Sequence, residues 1–303
     1  MVDDDGRLPN LIIAGVSKAG TTSLFNYLGQ HPDIGTSDVK ELRYFSPLRH
    51  GGTMEPVADY ARHFRSCVDS RYAVEATPGY FYGGAAVAQA MAATCPGVRV
   101  IASLRSPPER CWSWFRFVKS RLRIPREMAF EDYLDRCEEL HRAGIDDRVE
   151  NQPFWGLGGG CYSRWLDDWS AELGDRLRIV FFEDLVAAPG DVVESLFRWL
   201  RLDLGPLSSL GFPEDNKTEQ YRSRSLQHLA VRINRRSERF FRRHTTVKRL
   251  LRSTYWAFNK APEERGLPAA SRRRLEDFYR PYDERLKEQL AHLGLVVPAS
   301  WSG

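Results

Sequence analysis

The sequence has no cysteine pair in CxxC spacing, no cysteine–histidine cluster of metal-ligating pattern, no GxGxxG after an apolar run and no internal repeat. No apolar run approaches the roughly 18–20 residues that cross a bilayer. Its five cysteines, Cys67, Cys95, Cys111, Cys137 and Cys161, form an odd set without framework spacing. These absences argue against a disulfide-stapled domain, a zinc module, a dinucleotide-binding half and a membrane-spanning protein. An odd set of thiols, and an acidic start MVDDDGRLPN without a signal-peptide core, give a cytoplasmic expectation.

What is present is a chain of 303 residues, 42% hydrophobic, with a net charge of +4. That is long enough for one large domain with a substantial core. The charge is uneven, since residues 217–252 hold twelve Lys or Arg against two Glu. No nucleic-acid module is visible and the overall charge is modest, so nucleic acid is not an expected partner.

Four short β-rich runs punctuate the first two thirds: NLIIAGV at 10–16, RYAVEAT at 71–77, VRVIASL at 98–104 and LRIVFFE at 177–183. The first, third and fourth are almost continuously apolar, as strands covered on both faces of a parallel sheet are. Helical stretches lie between them at 21–28, 83–94, 108–122 and 162–173. Alternating strand and helix predict an α/β fold, a parallel sheet flanked by helices with right-handed crossovers. Residues 120–160, polar and ending near GLGGG, interrupt the rhythm and are expected to form a cap or loop. The last third reads as helical, with Leu275, Phe278, Tyr279, Tyr282, Leu286 and Leu290 at near-helical spacing.

The turn GVSKAGTT, at 15–22, joins the first strand to the first helix. Unsatisfied N–H groups and the helix dipole make such a junction an anion site. Gly20 is expected to let the backbone approach a ligand, and Thr21, Thr22 and Ser23 to add hydroxyl donors. A tight turn with a surface lysine would give the same pattern. The nucleoside-triphosphate loop GxxxxGK[ST] has its lysine on the helix's first turn, where Thr21 stands here. The run VIASLR also ends in Arg105, where a triphosphatase would place an acidic metal ligand.

GxxKxGTT between strand and helix resembles the 5′-phosphosulfate loop of sulfotransferases that use 3′-phosphoadenosine 5′-phosphosulfate (PAPS). The segment LRSPPERCWSW, with Arg105, Pro107, Arg110 and Ser113, resembles their 3′-phosphate motif R-x-P-x-x-R-x-x-S, although Ser106 stands where Asp or Asn is usual. The resemblance implies a P-loop-containing nucleoside triphosphate hydrolase-like fold and PAPS as donor, with no metal. It puts Ser17, Lys18, Ala19, Gly20, Thr21, Thr22 and Ser23 around the 5′ side, with Lys18 beside the bridging oxygen. Arg105 and Ser113 would grip the 3′-phosphate. Guanidinium suits this task, pairing bidentately with phosphate and never losing its charge.

No histidine follows Ser113 in WFRFVKSRLR, unlike the phenol and steroid enzymes. SDVKELRYFS instead resembles the glutamate-base segment of the heparan-sulfate-type enzymes and their bacterial relatives. That implies Glu41 as general base, with Lys40 orienting the sulfuryl group. EATPGYF is similar to their strand-end segment, and Glu75 in it is the alternative base, because ligands approach open α/β sheets at strand ends. GCYSRWLDDW and FFEDLVAAP, with Glu183 and Leu185, agree as well. His31 is read as shaping the turn after the first helix, and His141 is a reserve candidate for the base. The resemblance covers about 9–202, with a looser match at LEDFYRPYDERL.

The expected organisation is one sulfotransferase domain over 1–303, with its core at 9–202, the cap at 120–160 and a basic loop with C-terminal helices at 213–303. Lys217, Arg222 and Arg224 would close over the nucleotide. The interleaved cations and apolar residues of 224–252 also suit a helix lying on anionic lipid, or one packed on the domain. The acceptor is expected to be a hydroxyl of a small molecule, glycan or lipid. A metal-dependent P-loop kinase and a non-enzymatic anion- or membrane-binding protein are the alternatives.

Overall fold

The computed structural model describes residues 6–213 and 266–301. These fall into two compact units, one drawn from Met1–Ser106, Cys161–Asn216 and Tyr279–Gly303, the other from Pro107–Gly160 and Lys217–Phe278. Lys217, Arg222, Arg224 and the basic stretch 224–252 lie outside the described residues. Among the described residues, no helix is long and apolar enough to cross a membrane. All five cysteines are buried thiols outside any disulfide.

The first unit is built on a parallel sheet of β1 (Leu11–Gly15), β2 (Ile34–Thr36), β3 (Tyr72–Ala76), β4 (Arg99–Leu104) and β5 (Leu177–Phe181). The strand order is β2-β3-β1-β4-β5. Four strands fall where the apolar runs predict them. The three-residue β2 gives too short a pattern to be read, and it is held at the edge by pairing Ile34 with Tyr72 and Thr36 with Val74. Every residue of β1 and β3 is buried.

Helix α1 (Thr21–Leu28) follows β1, and α2 (Val57–Ala61) precedes β3. α3 (Gly84–Thr94) leads to β4. Leu24, Leu28, Leu11, Ile13, Val74 and Ile101 share one core with Val193, Leu196, Phe197 and Leu200. The last four come from α8 (Pro189–Leu200), an amphipathic helix for which the sequence reading has no element. Between β5 and α8 lies α7 (Phe182–Ala187). His31 is buried and shapes its turn as expected. Its Nδ1 accepts the Asp33 N–H at 3.0 Å, and its Nε2 lies 3.0 Å from the Asp203 carbonyl.

The second unit opens with α4 (Pro107–Ser120). The stretch 120–160, expected as a cap or loop, instead carries helix α5 (Phe130–Arg142), with Phe130, Tyr133, Leu134, Cys137 and Leu140 buried. Those five residues follow helical spacing, and the charges between them hide the pattern in a composition reading. The glycines of GLGGG are buried too. Arg110 fits against them fully buried, donating to the Gly156 carbonyl at 2.8 Å, and a Cβ on Gly159 would run into its guanidinium. α6 (Leu166–Leu173) belongs to the first unit. The long α9 (Ala269–His292) confirms the C-terminal helical pattern, with Leu275, Tyr279, Leu286 and Leu290 buried.

Candidate active site

In this topology the chain leaves β1 at the point where the sheet order reverses, with β3 on one side and β4 on the other. The carboxyl ends of strands at such a switch point form a crevice in which open α/β sheets bind ligands. Three loops of the first unit meet that edge.

The first is 16–20, between β1 and α1. Its Val16 N–H donates to the Ser103 carbonyl at 2.8 Å, and the Ser103 hydroxyl returns to the Ala19 carbonyl at 2.6 Å. Arg105 donates from a terminal guanidinium nitrogen to the Lys18 carbonyl at 3.2 Å. These carbonyls are turned toward β4, and no side chain caps the amides that open α1. Lys18 takes a left-handed backbone at φ 75°. Gly20 is also left-handed, and a Cβ there would meet Leu185 and Phe182, each at 2.9 Å. Its glycine is therefore demanded by packing behind the loop and by φ, where the sequence suggested ligand approach. Ala19 and Thr21 are buried, while Ser17, Lys18, Thr22 and Ser23 are half-buried.

The second loop follows β4. The Arg105 guanidinium lies 4.5 Å from the Phe182 ring centroid, and Tyr162 donates its hydroxyl to the Arg105 carbonyl at 2.8 Å. Such a cation over a ring face is held in place without losing its charge. Ser106, the departure from the usual motif, is buried, and its N–H donates to Glu183 Oε1 at 2.9 Å. Ser113 is half-buried on α4 in the second unit.

The third loop, 40–45, is bound to the end of β3. Glu41 and Arg43 both have positive φ, 64° and 61°. Among the described residues, five non-glycine positions have positive φ, and Lys18, Glu41 and Arg43 are three of them. Backbone conformations this costly gather at functional sites. The Glu41 N–H donates to the Ala76 carbonyl at 3.0 Å. Its side chain is 43% exposed and lies 3.5 Å from Lys40 and 3.4 Å from Arg43. Burial lowers the Lys40 pKa, opposed by Glu41 and Glu75.

Glu75 differs sharply from Glu41. It is fully buried, and burial pushes its pKa up to about 7 against hydrogen bonds from Thr77, Tyr60 and Tyr80 and the charge of Lys40. Thr77 donates to one carboxylate oxygen at 2.5 Å and Tyr60 to the other at 2.9 Å. His141, the reserve base, lies in the second unit with its Nδ1 2.6 Å from buried Asp146. Sequence reasoning passed over Ser103, Thr77, Tyr60 and Tyr80. The available signal was a single hydroxyl residue inside or at the end of an apolar strand run, as in VIASL and VEAT.

No protein-family model matches the chain. A sulfotransferase from Alicyclobacillus acidocaldarius superposes over 98% of this chain and 100% of its own, with a TM-score of 0.69 at 20% identity, and so shares the fold. The membrane-associated sulfotransferase kil1 of Dictyostelium discoideum is 34% identical over 167 residues, covering 50% of this chain and 34% of that protein. The bifunctional heparan sulfate N-deacetylase/N-sulfotransferase 1 of Caenorhabditis briggsae is 25% identical over 211 residues, 67% of this chain and 24% of that one. The chain is thus similar in sequence to sulfotransferases and shares their fold. It spans only about a quarter to a third of the length of these curated relatives. The shared fold places the parallel sheet in the P-loop-containing class that the resemblance implies.

Proposed function

We propose that this chain transfers a sulfuryl group from PAPS to an acceptor hydroxyl. The observation that carries this reading is the tethering of the Lys18 loop to β4 through Ser103 and Arg105. That tethering brings Lys18, Arg105 and the open amides of α1 to the sheet edge that also carries Lys40 and Glu41. The chemistry of this donor set fits the nucleotide: cations and amides for phosphate oxygens, with an exposed carboxylate beside them. When bound, PAPS supplies the sulfur electrophile and a phosphate leaving group.

Glu41 takes the acceptor's proton as the new O–S bond forms. Lys18 meets the charge that grows on the departing phosphate oxygen as the old S–O bond breaks. The products are a sulfated acceptor and 3′-phosphoadenosine 5′-phosphate (PAP). A positioned base is worth about 10²–10⁴ in rate, and a preorganised cation or donor about 10²–10³. Arg105 holds the 3′-phosphate, and Lys40 orients the sulfuryl oxygens. The acceptor class is a glycan, a lipid glycan or a small metabolite. Five buried thiols in no disulfide support a cytoplasmic setting.

Thermal denaturation with PAP and with magnesium–ATP tests the reading. A ligand at 100 times its dissociation constant adds about 2.7 kcal/mol. Stabilisation by PAP without metal, followed by transfer from labelled PAPS, is expected. Stabilisation by magnesium–ATP alone would replace this reading with that of a kinase.

A further inference from the structure

Beneath the loop that carries Glu41 lies a group of hydroxyls organised around one carboxylate. Glu75 is fully buried on β3, paired in register with Ile12 of β1. Thr77 donates its hydroxyl to Glu75 Oε1, and the Thr77 Oγ1 in turn accepts the Arg43 N–H at 3.2 Å. The Tyr80 oxygen accepts the Phe45 N–H at 3.4 Å, and its hydroxyl lies close enough to the Glu75 carboxylate to act on its ionisation. Tyr60 donates to Glu75 Oε2 and stacks on Tyr44, ring centroids 4.1 Å apart and planes within 4°.

A hydroxyl has one proton to give and two lone pairs with which to accept. An ionised carboxylate only accepts, so in that form it draws the hydroxyl protons inward and leaves their oxygens facing the loop amides. Arg43 sits at positive φ, a conformation the chain keeps only where its surroundings hold it. Glu75 has no exposed surface through which an acceptor hydroxyl would reach it in this structure.

We propose that Glu75 is a positioning residue: through the hydroxyls of Thr77 and Tyr80 it fixes the backbone of the 41–45 loop, and thereby the Glu41 carboxylate. This rests on the sulfotransferase reading only for its effect on turnover. The relay itself is read at individual amides.

The test is amide hydrogen exchange and single-turnover transfer on the full chain, with the variants Glu75→Gln, Thr77→Val, Thr77→Ser and Tyr80→Phe. Thr77→Val is expected to speed exchange at Arg43 at least tenfold, and Tyr80→Phe to do so at Phe45. Glu75→Gln should do both, and Thr77→Ser, which keeps the hydroxyl, neither. A general loss of stability would instead raise exchange at all the core amides together, and that result overturns the proposal. Turnover in Thr77→Val should fall about tenfold with PAP affinity unchanged. The double variant Glu75→Gln/Thr77→Val should be no slower than the worse single one, since both cut one relay. A hundredfold loss in Glu75→Gln, with unchanged amide exchange and normal turnover in Thr77→Val, would make Glu75 the base. If PAP does not bind at all, the proposed function fails, while site-specific exchange at Arg43 and Phe45 still decides for or against the relay.

Discussion

The Ser103 hydroxyl, buried at the end of β4, reaches the Ala19 carbonyl at 2.6 Å. This bond crosses from the strand that ends in Arg105 to the loop that contains Lys18, so one side chain sets the spacing between two cations.

Ser103→Ala leaves a buried carbonyl without its donor, at a cost of about 1–3 kcal/mol. Chemical denaturation should show that loss. Calorimetry should show PAP affinity reduced by about tenfold, since the loop amides lose their fixed direction. Full PAP affinity in a destabilised variant would separate the Ser103 bond from the nucleotide site.

Lys18→Ala should lower single-turnover transfer by about 10²–10³ with the fold unchanged by circular dichroism. Alanine pays the same left-handed backbone cost as lysine, so stability should hold. A variant retaining more than a tenth of the normal rate would move Lys18 away from the leaving oxygen.

Arg105→Ala has two expected effects, because its guanidinium bonds the Lys18 carbonyl and is proposed to hold the 3′-phosphate. The loop contact should weaken PAP and its analogue lacking the 3′-phosphate alike, by a small factor. The loss for PAP should exceed that common factor by at least tenfold, the scale of a charge-assisted phosphate contact. Equal losses in calorimetry would remove Arg105 from the 3′-phosphate.

Glu41→Gln keeps the shape and the contact with Lys40 but cannot accept a proton. Donor affinity should survive, and the chemical step should slow by about 10²–10⁴. Near-normal single-turnover rates would take the base role from Glu41.

Glu75 also predicts a pH signature. The groups facing it are Lys40, Tyr60, Thr77 and Tyr80, with Cys95 close enough to feel its charge. Its folded-state pKa of about 7 exceeds the ordinary 4.5, so the native state holds the proton more tightly between those values. Its contribution to stability is complete below about pH 4.5 and is lost as pH rises through about 7. The full difference is about 3 kcal/mol. Melting temperatures of wild type and Glu75→Gln should therefore diverge in slope across that window, the glutamine variant lacking the decline. Parallel slopes would mean that Glu75 does not titrate there.

By itself the sequence determined four of the five strands and the β1 turn. Continuous apolar runs have no polar face to show solvent, so burial between two helix layers follows from composition alone. The position of Lys18 ahead of Gly20, and Arg105 at the end of an apolar run, are local facts that survive without coordinates. Helix α5 was hidden because charges between its buried positions masked their spacing, and β2 because three residues carry no period. Only tertiary structure separated the two glutamates. Glu41 and Glu75 are both carboxylates near strand ends in the chain, but one stands on a loop in reach of solvent, and the other is sealed among Tyr60, Thr77 and Tyr80. Burial and hydrogen-bond partners belonging to residues up to 35 positions apart decide that difference, and no local pattern encodes them.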